Sequence, residues 1–549
     1  MHQCKRSNLT ETRQLPALCF LRTGKIKYTQ TTMTAAQSAS LAGALVARFL
    51  RSNNYTQTLD IFIREAGLSP DVGQTTGKDD SGDNTWTIEG VLEEKKTYDK
   101  SINFERHGNE GKGNNAWSVP GKCHLSRLME KRIKRTHDMQ APSKPTIVPT
   151  PSASNLLVAS VEKWQRLSSS HGTEQQSSYI VATGADRQLH LFKAAEGNAL
   201  VRSFSRQSDS PILSYSPVRK GEYLFMTNMS GQLILQRGTE VLGRRKDHSK
   251  YAIQVVTYEA PNTEKVLVAT AAWDSKISVY EFDIPREGEP EAVITMDEPV
   301  GYINLLTNPE AMLFVKHVDL ERTVLLVSRQ DSSHLHYYQV DSLTRNPTES
   351  TDTNPQECKL LGKQNLAPHS NTWVAFSPSG LALSPHDPGL LAVATSSLPH
   401  MKVMIVRLLF PPAESFDGNN DAQPEEPPAA PETQATQAFA VLALQNREDA
   451  AILVQANTFA PQTAYSTPQV AWRPDGSGVW VNGDDGVVRG IEVKTGKIAA
   501  MLTRGHDVGC KVRTIWAGWV EVLKDGGEVG VEEWVVSGGF DKRLIVWKR

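Results

Sequence analysis

The sequence predicts a mainly β protein built by repetition, with a small α-helical piece in front. Two observations carry this: a strand-turn-strand unit recurs from about residue 150, and apolar residues fall at helical spacing between Ser38 and Leu68. Composition supplies a third, since 38 Gly and 30 Pro in 549 residues call for many turns and leave little room for long helical bundles.

Charge and cysteine content narrow the class. Lys plus Arg number 59 against 61 Asp plus Glu, so the formal charge of −2 gives no global attraction to nucleic acid or anionic lipid. Cys4, Cys19, Cys123, Cys358 and Cys510 are scattered without a C-x-x-C pair. Neither a disulfide framework nor a zinc ribbon is expected, and a reducing compartment, cytoplasm or nucleus, is favoured. The densest apolar stretch, Val403 to Phe410, is interrupted by Arg407 and is strand-sized, so no membrane partner is expected.

Residues 1–37 read as a disordered tail. Lys5, Arg6, Arg13, Arg22, Lys25 and Lys27 against Glu11 also fit a mitochondrial presequence, and Met33 leaves open a later start. Residues 38–68 read as two short helices, with Leu41, Leu45, Phe49 and Leu50 on the first and Leu59, Phe62 and Ala66 on the second. Ser52-Asn53-Asn54-Tyr55 breaks them and Pro70 closes the second. Such short helices are marginal alone in water, so the hairpin needs a partner surface. The segment FLRSNNYTQTLDIFIREAGL, Phe49 to Leu68, resembles the LisH motif, with Leu45, Leu50, Tyr55, Phe62 and Glu65 at matching positions. Asn54 stands where that family usually has Gly. The resemblance implies homodimerisation through Leu41, Leu45, Phe49, Leu50, Tyr55, Leu59 and Phe62, two hairpins forming a four-helix bundle.

Residues 69–140 read as a flexible linker. It holds one amphipathic helix over about 88–104, from Ile88, Val91, Leu92, Tyr98 and Ile102, and a basic cluster at 127–135. Arg127, Lys131, Arg132, Lys134 and Arg135 are compatible with nuclear import, a solvated linker or nucleic-acid contact, although no aromatic residues interleave for base stacking.

Residues 141–549 carry the repeats. The copies span 179–192, 223–236, 266–280, 324–338, 390–406, 479–493 and 534–547. Aligned on the turn they place Asp186, Ser230, Asp274, Asp331, Pro399, Asp485 and Asp541 in register, separated by 44, 44, 57, 68, 86 and 56 residues. The first two separations match a four-stranded propeller blade, and the longer ones imply insertions. Within the longest, residues 411–433 hold six Pro and six acidic residues without Lys or Arg, the composition of a disordered loop.

The copies are similar to WD repeats, and seven of them imply a seven-bladed β-propeller. The last is the most faithful: Gly505-His506, Ser537, Asp541 and Trp547 match the family's G-H, S, D and W positions. By that resemblance His506, Ser537, Asp541 and Trp547 form a structural hydrogen-bonded chain inside a blade, and the apparent Ser/His/Asp triad is not catalytic. Trp273-Asp274 is not a blade-ending Trp-Asp, because Asp274 aligns with the turn residue Asp541. The last copy leaves no following chain for an outer strand, and an open ring would expose an edge. Residues 145–149, just before the first copy, are the nearest candidate to fill it.

Phosphate loops, H-E-x-x-H, G-x-S-x-G and EF-hand patterns do not occur, and Ser81 to Trp86 only faintly resembles a sialidase Asp-box. His334 and His336, two apart on a strand, can share a face, yet no third metal ligand can be named. No catalytic, cofactor-binding or metal residue is therefore expected. The expected function is a non-catalytic scaffold that dimerises through its hairpin and holds proteins or peptides on the propeller rims. Corepressor, splicing and ubiquitin-ligase subunits share such a layout, and a propeller enzyme with a central-channel site is the reading from another class.

Overall fold

The computed structural model describes residues 35–72, 141–164, 177–195, 197–261, 263–286, 294–341, 355–369, 376–416, 434–523 and 529–549. The helix read at 88–104 and the basic cluster Arg127, Lys131, Arg132, Lys134 and Arg135 lie outside them. The chain divides into two units, Met1–Arg106 and His107–Arg549.

In the first unit α1 spans Ala35–Ser52 and α2 spans Thr56–Glu65. Residues 35–37, read as tail, belong to α1, because Ala35, Ala36 and Gln37 are all good helix formers. Asn54 takes the left-handed conformation, φ +59°, and the Tyr55 N–H donates to the Leu50 carbonyl at 2.9 Å. Asn is among the few non-Gly residues that adopt this state readily, which explains its place in the turn. Gly67, φ +62°, ends α2 with the Leu68 N–H on the Ile63 carbonyl, and Leu68 folds back against Gly43. Ala47 and Leu59 are buried between the helices.

The second unit is a ring of seven antiparallel sheets. Blade one holds Leu156–Trp164, Ser177–Gly184, Leu189–Lys193 and Leu200–Phe204. Blade two holds Ile212–Val218, Tyr223–Asn228, Gln232–Arg237 and Glu240–Lys246. Blade three holds Ala252–Glu259, Lys265–Ala272, Lys276–Asp283 and Gly301–Asn304, with the short Gln356–Glu357 added in parallel at its edge. Blade four holds Pro309–Lys316, Thr323–Arg329, His334–Gln339 and Leu360–Asn365. Blade five holds Pro378–Leu383, Leu390–Thr395, His400–Arg407 and Ile452–Pro461. Blade six holds Val470–Trp472, Gly478–Val481, Val488–Glu492 and Ile498–Leu502. Blade seven takes Val512–Leu523, Val529–Gly539 and Leu544–Lys548 from one stretch of chain and Lys144–Val148 from far upstream. Each repeated copy is the pair of middle strands of one blade.

The borrowed strand runs antiparallel to Leu544–Lys548, from Lys144 opposite Lys548 to Val148 opposite Leu544. Pro145 is tolerated because this strand is the outer edge, where a missing donor costs no ladder bond. Seven buried apolar clusters each straddle two blades, from Trp534 and Val536 against Leu156 and Ile180 round to Trp480 and Val488 against Val535 and Trp547. Both faces of every sheet are covered, which explains why the middle strands read as continuous apolar runs rather than alternating ones. On the innermost strands, side chains of the neighbouring blade satisfy edge N–H groups. Thr514 Oγ1 accepts from the Ala159 N–H at 3.2 Å, Ser214 Oγ from Val255 at 3.1 Å and Gln254 Oε1 from Met312 at 2.9 Å.

Two features depart from the sequence reading. The segment 411–433 is not loop throughout: the Pro411 carbonyl accepts from His317 Nε2 at 3.0 Å, Ala413–Ser415 forms one 3-10 turn, and Phe416 is buried beside His317 and under Arg322. One aromatic side chain supplies enough apolar area to fix its neighbours despite their Pro-rich, acidic composition. Helix α3, Gln434–Ala451, was not anticipated. Its apolar residues form no single stripe, so no helical period stands out, while Glu448 Oε1 anchors it by accepting from the Asn365 N–H at 2.7 Å.

Candidate interaction surfaces

The LisH-like positions do not all behave alike. Within one copy Leu59 is buried, Leu45, Phe49, Leu50 and Phe62 are only partly covered, and Tyr55 and Ile61 are each more than half exposed. Leu41 belongs to α1, but its side chain lies outside what is described. The hairpin therefore keeps an apolar stripe that its own second helix does not cover.

In blade seven the four side chains singled out in the sequence are joined. His506 Nδ1 lies 3.0 Å from Asp541 Oδ2, His506 Nε2 lies 2.9 Å from Ser537 Oγ, and Trp547 Nε1 donates to Ser537 Oγ at 2.8 Å. A Cβ on Gly505 would sit 2.6 Å from the Trp547 ring, so a residue without a side chain must precede His506. Burial pushes the Asp541 carboxyl up, but its hydrogen bond to His506, that ring's charge and the N–H groups of Asp507 and Arg543 outweigh this and leave it at about 2. The side chains of His506, Ser537 and Asp541 are enclosed.

A second chain of this kind escaped the sequence reading. In blade three His248 Nδ1 contacts Asp274 at 3.2 Å and His248 Nε2 contacts Thr270 Oγ1 at 2.8 Å. The signal was a histidine in the loop before a turn aspartate, disguised by Thr in place of Ser and Asp247 in place of Gly. Elsewhere the partner comes from within the hairpin, four residues after the aspartate: His190 Nε2 on Asp186 at 3.0 Å and Arg489 Nη1 on Asp485 at 3.0 Å. All four aspartates accept from the N–H two residues on, each at 3.2 Å, to Gln188, Lys276, Val487 and Arg543. Asp331 differs from the other aligned aspartates. It takes φ +56° itself and stays exposed, because the blade-four turn is longer and shifts it one place into the left-handed position that Arg187, Ser275 and Lys542 occupy.

Strand direction decides what these turns present. The second-to-third turn of each blade and the link to the next blade must lie at the same end of the ring, because the strands alternate in direction. This end carries a set of exposed apolar side chains: Tyr251, Trp273, Leu306, Leu398, Tyr465 and Phe540. Tyr251 and Trp273, 44% and 46% exposed, pack with ring centroids 5.5 Å apart, and the Trp273 N–H donates to the Tyr251 carbonyl at 3.1 Å. The His248-Asp274 pair locks the loops that hold them.

His334 and His336 are neighbours, ring centroids 6.3 Å apart, on the third strand of blade four. Burial, Arg329 and Lys363 together push His336 down to about 4, and burial and the same cations lower His334. Cations beside the pair oppose a metal ion, and no cluster of three or more His, Cys, Asp or Glu suited to metal occurs among the described residues. No described helix is long and apolar enough to cross a membrane.

Residues 152–515 match the UCP007778 beta-propeller domain, and residues 43–69 match the UCP007778 LisH domain. The chain belongs to the UCP007778 family. Comparison with curated proteins finds no match. In this UCP007778 member the LisH match covers most of α1 and all of α2, and the propeller match begins at blade one and stops inside the first strand of blade seven.

Proposed function

We propose that this chain is a non-catalytic scaffold whose LisH hairpin pairs two copies and whose propeller holds partner proteins on the face of Tyr251 and Trp273. One observation carries the reading: a tilted, half-exposed aromatic pair in ring contact stands on loops fixed by a buried His-Asp-Thr chain. Rigid aromatic anchors bury large apolar area at small entropic cost, the property of interface hot spots. The partly covered Leu45, Phe49, Leu50 and Phe62 support self-association, and pairing would make partner binding bivalent, raising avidity without new contacts. A corepressor, splicing or ubiquitin-ligase assembly, in nucleus or cytoplasm, is the setting this layout suits. The Ser/His/Asp groups are consumed in structural bonds, which weighs against an enzyme.

Light scattering on the full chain tests the pairing: a dimer at micromolar concentration is expected, and a monomer for Leu50→Asp/Phe62→Asp. Affinity purification tests the rim: companions of the intact chain should be lost from Tyr251→Ala/Trp273→Ala. A monomeric parent, or companions retained by the rim variant, would overturn the corresponding half.

A further inference from the structure

The innermost strands enter the ring through β-bulges, whose extra residues are Leu157, Leu213, Ile253, Glu310, Ser379 and Arg513. Each bulge lies at the strand end that follows the link from the preceding blade, on the same end of the ring as Tyr251 and Trp273. A bulge turns its extra side chain out of the regular alternation. The extra residues of blades four and five, Glu310 and Ser379, lie close enough to interact, so these two bulges face each other. The bulges thus lie round the mouth of the central channel; Leu157 is buried and Ile253 packs on the core between blades three and four, while Leu213 and Arg513 keep part of their surface open.

Arg513 stands out in this ring. Burial lowers its affinity for a proton, and no hydrogen bond, ion pair or ring contact engages its guanidinium among the described residues. Its neighbours are already committed. Asn482 Nδ2 donates to the Val512 carbonyl at 2.7 Å, Asn482 Oδ1 accepts from the Gln469 N–H at 2.8 Å, and Thr514 Oγ1 accepts from Ala159. Arginine does not shed its charge, so a guanidinium drawn partly out of water without a counter-ion is held at some cost. It keeps part of its surface open, at the start of an innermost strand.

We propose that Arg513 is the anion-reading group of a peptide site at the channel mouth, taking the carboxylate of one acidic side chain. The planar guanidinium fork fits an oxyanion bidentately, and carboxylate and phosphate share that chemistry. A carboxylate is favoured because one cation balances its single charge, whereas a doubly charged phosphoryl group would also meet Glu310 in the same ring. The site rests on the scaffold reading and gives it a specificity-determining residue.

Two measurements on the full chain test it. A partly buried cation kept for a ligand should burden the empty fold slightly, so Arg513→Met is expected to raise the melting temperature by about 1–4 °C. A lowered melting temperature would mean an internal partner and would overturn the proposal. Selection from a random nonapeptide display library should enrich Asp or Glu at one position for the parent and not for Arg513→Met. Synthetic peptides with Glu, Gln or phosphoserine there should bind in that order of preference, Glu at least about 10-fold over Gln. No enrichment, equal binding of Glu and Gln, or preference for phosphoserine would each overturn the site. Tyr251→Ala/Trp273→Ala should weaken Glu and Gln peptides alike and leave their ratio intact, which separates failure of the rim from failure of Arg513.

Discussion

The hairpin and the propeller solve the same problem in opposite ways. The propeller covers both faces of every blade with the next blade and mends its open edge with Lys144–Val148, so its apolar surface is satisfied inside one chain. The hairpin buries Ala47 and Leu59 and leaves Leu45, Phe49, Leu50 and Phe62 partly open. Chain length is the difference. A ring of seven sheets returns to its own start, whereas two helices of 18 and 10 residues have too little surface to enclose a core. Self-sufficiency in one part and incompleteness in the other is what the proposed scaffold role needs.

The sharpest way to break this contrast is to cut the closing strand. Deleting residues 141–149 exposes the Leu544–Lys548 edge and uncovers Val148's place in the core, and should lower the melting temperature by roughly 10 °C or more. Deleting 417–433 should leave it nearly unchanged; equal shifts by scanning calorimetry would mean that closure does not hold the ring. Next in size is the buried bidentate pair between blades six and seven, Arg473 Nε on Glu533 Oε1 at 2.7 Å and Nη2 on Oε2 at 2.5 Å. Arg473→Met strands the carboxylate and should cost about 3–5 kcal/mol in urea unfolding, most of it recovered in Arg473→Met/Glu533→Leu.

Acid should act through His336. Its folded value of about 4 lies below the ordinary 6.5, so the unfolded chain binds the proton more readily. The stabilising contribution is whole above pH 6.5 and is lost as pH falls through 4, at most about 3 kcal/mol for a buried ring. His336→Gln should flatten that part of the stability profile. Smaller still, His506→Ala should cost about 1–3 kcal/mol by orphaning Asp541 and Ser537, whereas Asp331→Ala should stay within about 0.5 kcal/mol. Smallest of all, Leu50→Asp/Phe62→Asp should leave the propeller's melting transition in place; a shift would show that the two units share stability.

The repeats were legible because each middle-strand pair concentrates its apolar residues around a polar turn, and burial on both faces tolerates few exceptions. Asn54 was legible because few residues accept a positive φ. The chain through His248 was hidden by its replacements, since Thr270 does the work of a serine and only the three-dimensional approach of His248 to Asp274 reveals it. Helix α3 was hidden for another reason: Phe439, Val441, Leu442 and Leu444 stay exposed, so no buried face imposed a period on the sequence. Arg513 reads as an ordinary charged residue in an apolar strand until the bulge places it at the channel mouth.

The borrowed outer strand also orders events during synthesis. Lys144–Val148 leaves the ribosome roughly 400 residues before its partner Leu544–Lys548 exists, so at synthesis rates of about 5–20 residues per second the ring stays a broken circle for tens of seconds. During that interval blade one lacks its neighbour on one side, and its Leu156, Ile180 and Phe192 face are open to whatever binds nascent chains.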